Sequence, residues 1–173
     1  MFVLSNRLII RAWQPGDEPY LALHANNKMI WKYLMDYFPY PYTFDDACNW
    51  VKINQGMEKS TNFAMVFDGE VVGSIGIIPG NDVHKKSAAV GYWLGQEYWN
   101  QGITSLAINW MVEYTFKEFD FNRIWASVFS NNPASMRVLQ KAGFKNEAVF
   151  EKSIFKDGEF LNEHVFSILK QKP

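Results

Sequence analysis

The octapeptide YWNQGITS, residues 98–105, joins a β-prone stretch to a stretch with helical periodicity and places a glycine where the helix begins. The first N–H groups of a helix have no partner within it, and with the helix dipole they form a seat for an anion. Gly102 would let a phosphate approach the main chain, because no Cβ stands in the way. An ordinary loop ending in capping residues is the other interpretation, and the octapeptide alone leaves both open. Further main-chain donors would come from Gln101, Ile103, Thr104 and Ser105.

The familiar phosphate-binding fingerprints do not occur in this sequence. A P-loop needs two glycines separated by four residues and followed by Lys and Ser or Thr, whereas no Gly-Lys pair is present. The segment GSIG, residues 73–76, does not fit G-x-G-x-x-G and lies in a strand pattern. The sequence therefore disfavours a nucleoside triphosphatase or a dinucleotide-dependent oxidoreductase.

A second segment, SVFSNNPASMRVLQKAGF at residues 127–144, predicts a short helix with both ends marked. Asn132 is a good N-cap and Pro133 suits the first helical position. Gly143 can adopt the left-handed conformation just after the helix, and Phe144 is the apolar residue that follows. Each residue thus has a purely structural explanation beside any functional one.

Hydrophobic periodicity predicts the order of the elements that carry these two segments. A strand at 7–13 and helical segments in 16–38 come first, followed by a helix capped by Thr43, a hairpin turning at Asp68-Gly69 and a strand at 87–95. A helix from 103 to about 119, a strand at 123–129, the short helix and a hairpin around Asp157-Gly158 complete the chain. This order predicts one α/β (α+β) domain over residues 1–173, with helices on both faces of a mixed sheet.

Taken together, the segments resemble the GNAT superfamily of acetyl-CoA-dependent N-acetyltransferases, most closely its RimJ/RimL-like branch. The resemblance is carried by NRLIIRAWQPGDEPYL, VGYWLGQEYWNQGITSLA, NNPASMRVLQKAGF and KDGEFLNEHVFSIL, in this order along nearly the whole chain. It implies a mostly antiparallel central sheet with a splayed strand pair, and acetyl-CoA as cosubstrate.

The resemblance also implies residues that bind the cosubstrate. Main-chain amides of residues 101–105 would hold its diphosphate, and the main chain of Trp93 and Leu94 would pair with the pantetheine amides. Asn132 would reach the pantetheine arm, and Arg137 would bind a phosphate of the cosubstrate.

For catalysis, we expect Ser135 to donate a hydrogen bond to the departing sulfur. A tyrosine frequent in the family is replaced by Leu139, and this puts the proton-transfer assignment in doubt. The ammonium form of the acceptor must lose a proton before it can attack, and Glu97 and Glu147 are candidates for the base. Both carboxylates have a structural alternative as solvated surface groups, and a chain of water molecules is a third route. Other departures from the family pattern are Thr104, Leu106 and Asn162.

In the family, the region after the first strand shapes the acceptor pocket. Its aromatic residues lie near carboxylates, a combination that suits a cationic amine, although the same rings could equally be core residues. The predicted acceptor-binding residues are Trp31, Tyr33, Tyr37 and Phe38. A protein N-terminal amine, a polyamine, an amino sugar and an antibiotic amine all remain open as acceptors, and a homodimer is compatible with the exposed aromatics expected.

Composition limits the partners, metals and cellular locations that we expect for this chain. The chain has 173 residues, a net charge of −1 and a single cysteine, Cys48. A near-neutral chain with scattered basic residues does not favour nucleic acid, and no apolar run is long enough to span a membrane. His24, His84 and His164 lack ligand spacing, so no metal site is expected. One cysteine is compatible with the reducing cytoplasm, where we expect the protein.

Two other classes of function remain open at this point. A catalytically silent acyl-CoA-binding module would explain the missing tyrosine. An interaction protein with an aromatic surface and no ligand would explain the abundance of rings, 17% of the residues.

Overall fold

The apolar stretches form an eight-stranded sheet in the computed structural model, which describes residues 1–56 and 59–171. The strand order is β1-β2-β3-β4-β5-β6-β8-β7, and β5 and β6 form a parallel pair within a mostly antiparallel sheet. The strands are β1 (Phe2–Val3), β2 (Leu8–Ala12), β3 (Asn62–Phe67), β4 (Glu70–Pro79), β5 (Ser87–Leu94), β6 (Arg123–Phe129), β7 (Lys145–Lys156) and β8 (Glu159–Leu169).

Five α-helices accompany these strands in the described residues: α1 (Glu18–Ala25), α2 (Lys28–Trp31), α3 (Phe44–Asn54), α4 (Ile103–Glu118) and α5 (Pro133–Lys141). The predicted cap of α3 is confirmed as a capping box. Thr43 Oγ1 accepts from the N–H of Asp46, and the Asp46 carboxylate accepts from the N–H of Thr43. In the described residues no helix combines the length and apolarity needed to cross a membrane.

The helical segment expected up to residue 38 is much shorter than predicted. Helix α2 ends at Trp31, and the chain continues through turns in which Leu34 N–H bonds the Trp31 carbonyl and Phe38 N–H bonds the Met35 carbonyl. Pro39 explains part of this difference, because a proline disfavours the helical conformation of the residue before it. Most other elements begin and end close to their predicted bounds, but β7 begins at Lys145, before the predicted hairpin at Phe150. Strand β1 and a 3₁₀ turn at Gln96–Tyr98 were not expected.

The described chain forms two compact units, and the first comprises residues 1–76 and 92–107. Its core lies where α1 and α3 meet and where β3 and β4 contribute buried side chains. Trp13, at the end of β2, is 2% exposed, and its ring lies edge-on to Trp50 at 6.4 Å. The buried members of this core are Trp13, Leu21, Ala25, Tyr42, Ala47, Val51, Ala64, Val66 and Val71.

The second unit comprises residues 77–91 and the chain from 108 onward. Its β5–β6 ladder pairs Ser87 with Arg123 and ends where Ala89 pairs with Trp125, although β6 continues to Phe129. This early end of the parallel ladder is the splay predicted from the resemblance, and the predicted fold class is confirmed. The single-domain assignment over 1–173 remains a prediction, and its residues 57, 58, 172 and 173 lie outside the described parts.

A buried ion pair fixes the entry to α1 in the first unit. Both terminal nitrogens of Arg11 donate to the carboxylate of Asp17 at 2.7 Å, and Asp17 also accepts from the N–H of Gln14 at 3.0 Å. The Asp17 side chain is only 4% exposed. Removing the arginine would therefore leave a buried carboxylate without its countercharge.

We expect Arg11→Met to lower the free energy of unfolding by about 3–5 kcal/mol, because the stranded carboxylate loses its partner in a dry site. Urea denaturation followed by circular dichroism measures the change. Lys86→Met is the control, since the Lys86–Asp120 pair is exposed and should contribute little to stability. Equal losses in the two variants would contradict the structural role of the buried pair.

Candidate functional site

The segment from the end of β5 to the start of α4 is held in place by hydrogen bonds within the first unit. Gly95 N–H donates to the Val72 carbonyl at 2.7 Å, and the Trp99 indole N–H donates to the Leu94 carbonyl at 2.8 Å. The side-chain amide of Gln101 donates through Nε2 to the main-chain carbonyl of Glu97 at 3.2 Å. These bonds set the path of the loop before it reaches Gly102.

The amides at the start of α4 are open. Gly102 has φ +79°, a left-handed conformation that suits glycine, and a Cβ built on it would meet nothing within 4 Å. The first bond of the helix runs from Leu106 N–H to the Gly102 carbonyl. In residues 1–56 and 59–171, no protein group accepts from the N–H groups of residues 101–105. An open row of donors at the start of a 16-residue helix is the arrangement that an anion-binding site requires.

The side chains of this row differ in exposure. Ile103 is buried and anchors the helix start, Thr104 and Ser105 are half-buried, and Gln101 is exposed. The structure thus brings together the five residues predicted to bind the diphosphate, while their role in binding stays a prediction.

Strand β5 reaches this loop through Trp93 and Leu94, and β4 lies very close to it there. A Cβ built on Gly73 would lie 2.4 Å from the Trp93 carbonyl oxygen and 3.1 Å from the Leu94 Cα. Only glycine fits such an approach, so Gly73 sets the spacing between the two strands. The Leu94 side chain is buried, and the half-buried Trp93 ring packs against the core of the first unit.

A histidine that the sequence did not single out lies beside the same loop. His24 of α1 is 9% exposed, and its ring lies edge-on to Tyr98 at 5.4 Å. Its Nε2 has no hydrogen-bond partner in the described residues. Burial lowers the pKa of His24, an effect that the carboxylates of Glu97 and Glu70 oppose. No local pattern in the sequence indicates this contact, because it joins residues more than 70 positions apart.

The predicted features of α5 are confirmed in the second unit. The Asn132 side chain accepts from the N–H of Ser135 at 3.1 Å and so caps the helix, and Gly143 has φ +87° at its end. Ser135 is half-buried in the first turn, whereas Arg137 is exposed. Leu139, which stands at the family's tyrosine position, is fully buried and faces no solvent. The roles of Asn132, Ser135 and Arg137 toward a ligand stay predictions.

The two carboxylates proposed as bases differ in their surroundings. Glu147 on β7 accepts from Ser167 Oγ and from Arg123 Nη2, and these contacts lower the pKa of Glu147. A carboxylate stabilised in this way is a weaker base. Glu97 lies exposed in the 3₁₀ turn before the loop. Both assignments stay predictions, and the contacts of Glu147 make it the less suitable of the two.

The four aromatic residues predicted to bind the acceptor separate into different environments in the first unit. Phe38 packs on the core, with its ring 5.0 Å from Tyr42 and 6.0 Å from Trp93. Trp31 and Tyr33 are half-buried, whereas Tyr37 is 81% exposed. Of the four, Phe38 contacts the strand end predicted to bind the cosubstrate.

The second unit also contains an open cavity of about 430 Å³. It includes Ser87 and Arg123, at the amino ends of β5 and β6, together with Trp125 and Val165. None of the predicted site residues lines this cavity, and it lies at the end of β5 away from Trp93 and Leu94.

Comparison with known proteins assigns the chain to a family. The acetyltransferase (GNAT) domain family matches residues 7–145, and the chain belongs to this family. The uncharacterized N-acetyltransferase YnaD of Bacillus subtilis (strain 168) is 28% identical over 174 residues, which cover 99% of this chain and 99% of YnaD. The protein is therefore an acyltransferase of the GNAT N-acetyltransferase family, and these similarities give no support to a silent binding module.

Solved structures agree with this assignment. An acetyltransferase of the GNAT family from Bacillus anthracis superposes with a TM-score of 0.84 at 27% identity, covering 98% of both chains. RimL, a ribosomal L7/L12 alpha-N-protein acetyltransferase in complex with coenzyme A, also has a TM-score of 0.84, with 97% coverage of both chains. Its identity of 20% supports a common fold.

The buried neutral state of His24 predicts a pH dependence of stability. Because the pKa of His24 is lowered on folding, the unfolded chain binds more protons below about pH 6.5, and stability falls as the pH drops. We expect His24→Gln to flatten the stability profile between about pH 7 and about pH 5, measured by urea denaturation. His84→Gln, a change at an exposed histidine, should keep the wild-type profile. An unchanged slope in His24→Gln would remove His24 as its source.

Proposed function

We propose that this protein transfers the acetyl group of acetyl-CoA to a primary amine by direct attack within a ternary complex, as a RimJ/RimL-like enzyme acting through one domain over residues 1–173. The observation that carries this proposal is the open row of main-chain amides at residues 101–105. An acyltransferase of this family must hold a diphosphate-bearing cosubstrate, and this row supplies donors and a helix dipole of the required sign. The RimL neighbour contains coenzyme A, which supports the choice of cosubstrate.

The cosubstrate positions the reacting thioester for attack. In the proposal, the diphosphate binds at 101–105 and the pantetheine arm pairs with the main chain of Trp93 and Leu94. Holding the thioester and the amine together can supply a large part of the rate enhancement. A main-chain N–H near Leu94 would stabilise the charge that develops on the carbonyl oxygen. Asn132 and Arg137 complete the proposed contacts with the cosubstrate.

Ser135 takes the place of the missing tyrosine in this proposal. Leu139 is buried and carries no polar group, so it cannot protonate the departing sulfur. Thiolates leave readily because the conjugate thiol has a pKa of about 8.5, and one hydroxyl donor is sufficient assistance. Ser135 lies in the first turn of α5, three residues after its cap.

The acceptor is a cationic primary amine in the proposal, and the aromatic segment that contains Trp31, Tyr33, Tyr37 and Phe38 contributes its binding surface. RimL is described as acting on the α-amine of a ribosomal protein, which places protein N-termini among the acceptors to test. A homodimer through the exposed rings of Phe155 and Phe160 and a cytoplasmic location complete the proposal.

An amine panel tests the proposed function directly. Thiol release from acetyl-CoA is measured with spermidine, glucosamine, benzylamine and a short peptide with a free N-terminus. We expect release with at least one amine. Binding of acetyl-CoA without thiol release would instead indicate a silent binding module. The absence of any thermal shift with coenzyme A would contradict both.

Gly102→Glu tests the amide row. We expect loss of acetyl-CoA binding in calorimetry, because the side chain crowds the row, disfavours the left-handed φ and repels the diphosphate. Gly158→Glu is a closely matched control: its φ is +85°, and a Cβ there also meets nothing within 4 Å. Wild-type affinity in Gly102→Glu, or an equal loss in both variants, would contradict the proposed seat.

Ser135→Ala tests the sulfur contact. We expect a turnover about tenfold lower or more with an acetyl-CoA dissociation constant close to that of the wild type, because the contact strengthens as negative charge develops on sulfur. Steady-state kinetics and calorimetry separate the two effects. Equal turnover would remove Ser135 from the mechanism.

A further inference from the structure

In the second unit, one face of the sheet is buried and the opposite face is partly open to solvent. Along β6, Ile124, Ala126 and Val128 are buried, whereas Trp125 and Ser127 are half-buried. Residues that alternate along a strand, and residues directly opposite on an antiparallel neighbour, share a face. Strand β8 pairs Val165 with Ser127 and Glu163 with Phe129, so Glu163 lies on the partly open face.

The carboxylate of Glu163 is oriented through one of its two oxygens. Ser127 Oγ donates to Glu163 Oε1 at 2.5 Å. Oε2 has only a long contact of 3.5 Å from Ser153 Oγ, a hydroxyl that lies closer to the Phe150 carbonyl, at 3.2 Å. Glu163 is half-buried and, in the described residues, makes no ion pair. It is therefore an oriented carboxylate with one oxygen available to a ligand.

A bulge in β7 lies directly beside this carboxylate. Phe150 pairs with Glu163 and Ile154 with Leu161, so β7 advances four residues while β8 advances two. Lys152, within the bulge, has φ +50°, and its N–H donates to the Asn162 side chain at 2.9 Å. Bulges of this kind end regular pairing and redirect side chains, and they are frequent beside active sites.

The same part of β8 is tied to the turn that begins α5. Ser130 N–H donates to the Asn162 carbonyl at 2.9 Å, and Asn162 N–H donates to Ser130 Oγ at 3.1 Å. Phe129 pairs with Glu163, and the chain from Phe129 to Asn132 spans at most about 11 Å. Asn132 caps the first turn of α5, which contains Ser135. The proposed sulfur donor and this carboxylate thus belong to one corner of the second unit.

We propose that Glu163 binds the ammonium group of the acceptor and removes its proton, directly or through one water molecule. This inference rests on the proposed function and adds a catalytic residue to it. Glu147 accepts hydrogen bonds from Arg123 and Ser167, whereas Glu163 makes no ion pair with any residue of 1–56 or 59–171. A carboxylate on a partly open face would favour a cationic amine over a neutral nucleophile.

The proton and electron balance of the step is simple. Glu163 takes one proton from the ammonium, and the freed lone pair forms the C–N bond at the thioester carbonyl. The C–S bond then breaks, and its electron pair goes to sulfur. The nitrogen loses a second proton, which sulfur takes up, so the products are the N-acetylated amine and the thiol of coenzyme A. The proton on Glu163 passes to solvent.

Glu163→Gln tests this role with benzylamine and acetyl-CoA as substrates. At pH 7 we expect kcat/KM to fall about 100-fold or more, while the acetyl-CoA dissociation constant is unchanged, because the amide cannot accept the proton. The defect should shrink as the pH approaches the amine pKa of about 10, where free amine is already present. Ser127→Ala, which frees the carboxylate to rotate, should give a smaller loss with the same pH trend.

Glu159→Gln is the matched control, since Glu159 is an exposed carboxylate on the same strand, and it should retain wild-type kinetics. A defect in Glu163→Gln of less than about threefold, or one of equal size at all pH values, would overturn the role as a base. Wild-type protein that neither binds acetyl-CoA nor releases thiol would instead count against the proposed function.

A second measurement does not depend on turnover. In protein saturated with coenzyme A, the carboxyl carbon resonance of Glu163, assigned by its loss in Glu163→Gln, should shift when benzylamine is added at pH 7. The resonance of Glu159 should stay in place. A Glu163 resonance that does not respond to benzylamine would overturn the proposed contact with the ammonium, whatever the catalytic result.

Discussion

The proposed function depends on the unpaired main-chain N–H groups at the start of α4, because buried or ordered polar groups need hydrogen-bond partners. A helix start leaves several N–H groups unpaired, and proteins usually satisfy them with a capping side chain. At α4 the described residues supply no such acceptor, and Gly102 directs the chain so that the row stays open. The hydrogen bonds made by Gly95, Trp99 and Gln101 hold the loop in place without a ligand. Such preorganisation reduces the conformational entropy that a ligand loses from the loop on binding.

In the proposed function, binding by main-chain donors does not depend on every side chain that departs from the family pattern. A backbone N–H is present whatever side chain the residue carries, so Thr104 can differ from the usual residue without removing a donor. The N–H of Leu106 lies outside the row, because it donates to the Gly102 carbonyl. The change at Leu139 is different, because the missing group was a side chain. In the proposed function, the hydroxyl of the half-buried Ser135 takes its place.

The fold class and the local caps and turns could be predicted from the sequence. Thr43, Asn132, Gly143 and the Asp68-Gly69 turn act over a few residues, and each was confirmed where its spacing placed it. The segment after Trp31 was predicted as helix because its apolar residues recur at helical spacing. The structure has turns there instead, and Pro39 disfavours helix in the residue before it. The family resemblance, rather than periodicity, was needed to predict the splayed strands.

Sequence patterns did not indicate His24 or Glu163, because the surroundings of both side chains come from distant parts of the chain. His24 acquires its environment from Tyr98 and Glu70, and Glu163 from Ser127 on another strand. Register decides which carboxylate faces a partly open surface, and a single-residue shift would reverse the choice. No spacing rule within one segment contains that information.

The close approach at Gly73 has a consequence for building hybrids of this protein with its relatives. The carbonyl of Trp93 occupies the space that a β-carbon on β4 would need, so the two strands fit only as a pair. A chimera that takes β4 from a relative with a larger residue there would push apart the strand end at Leu94. Crossover points should therefore keep β4 and the end of β5 from the same parent.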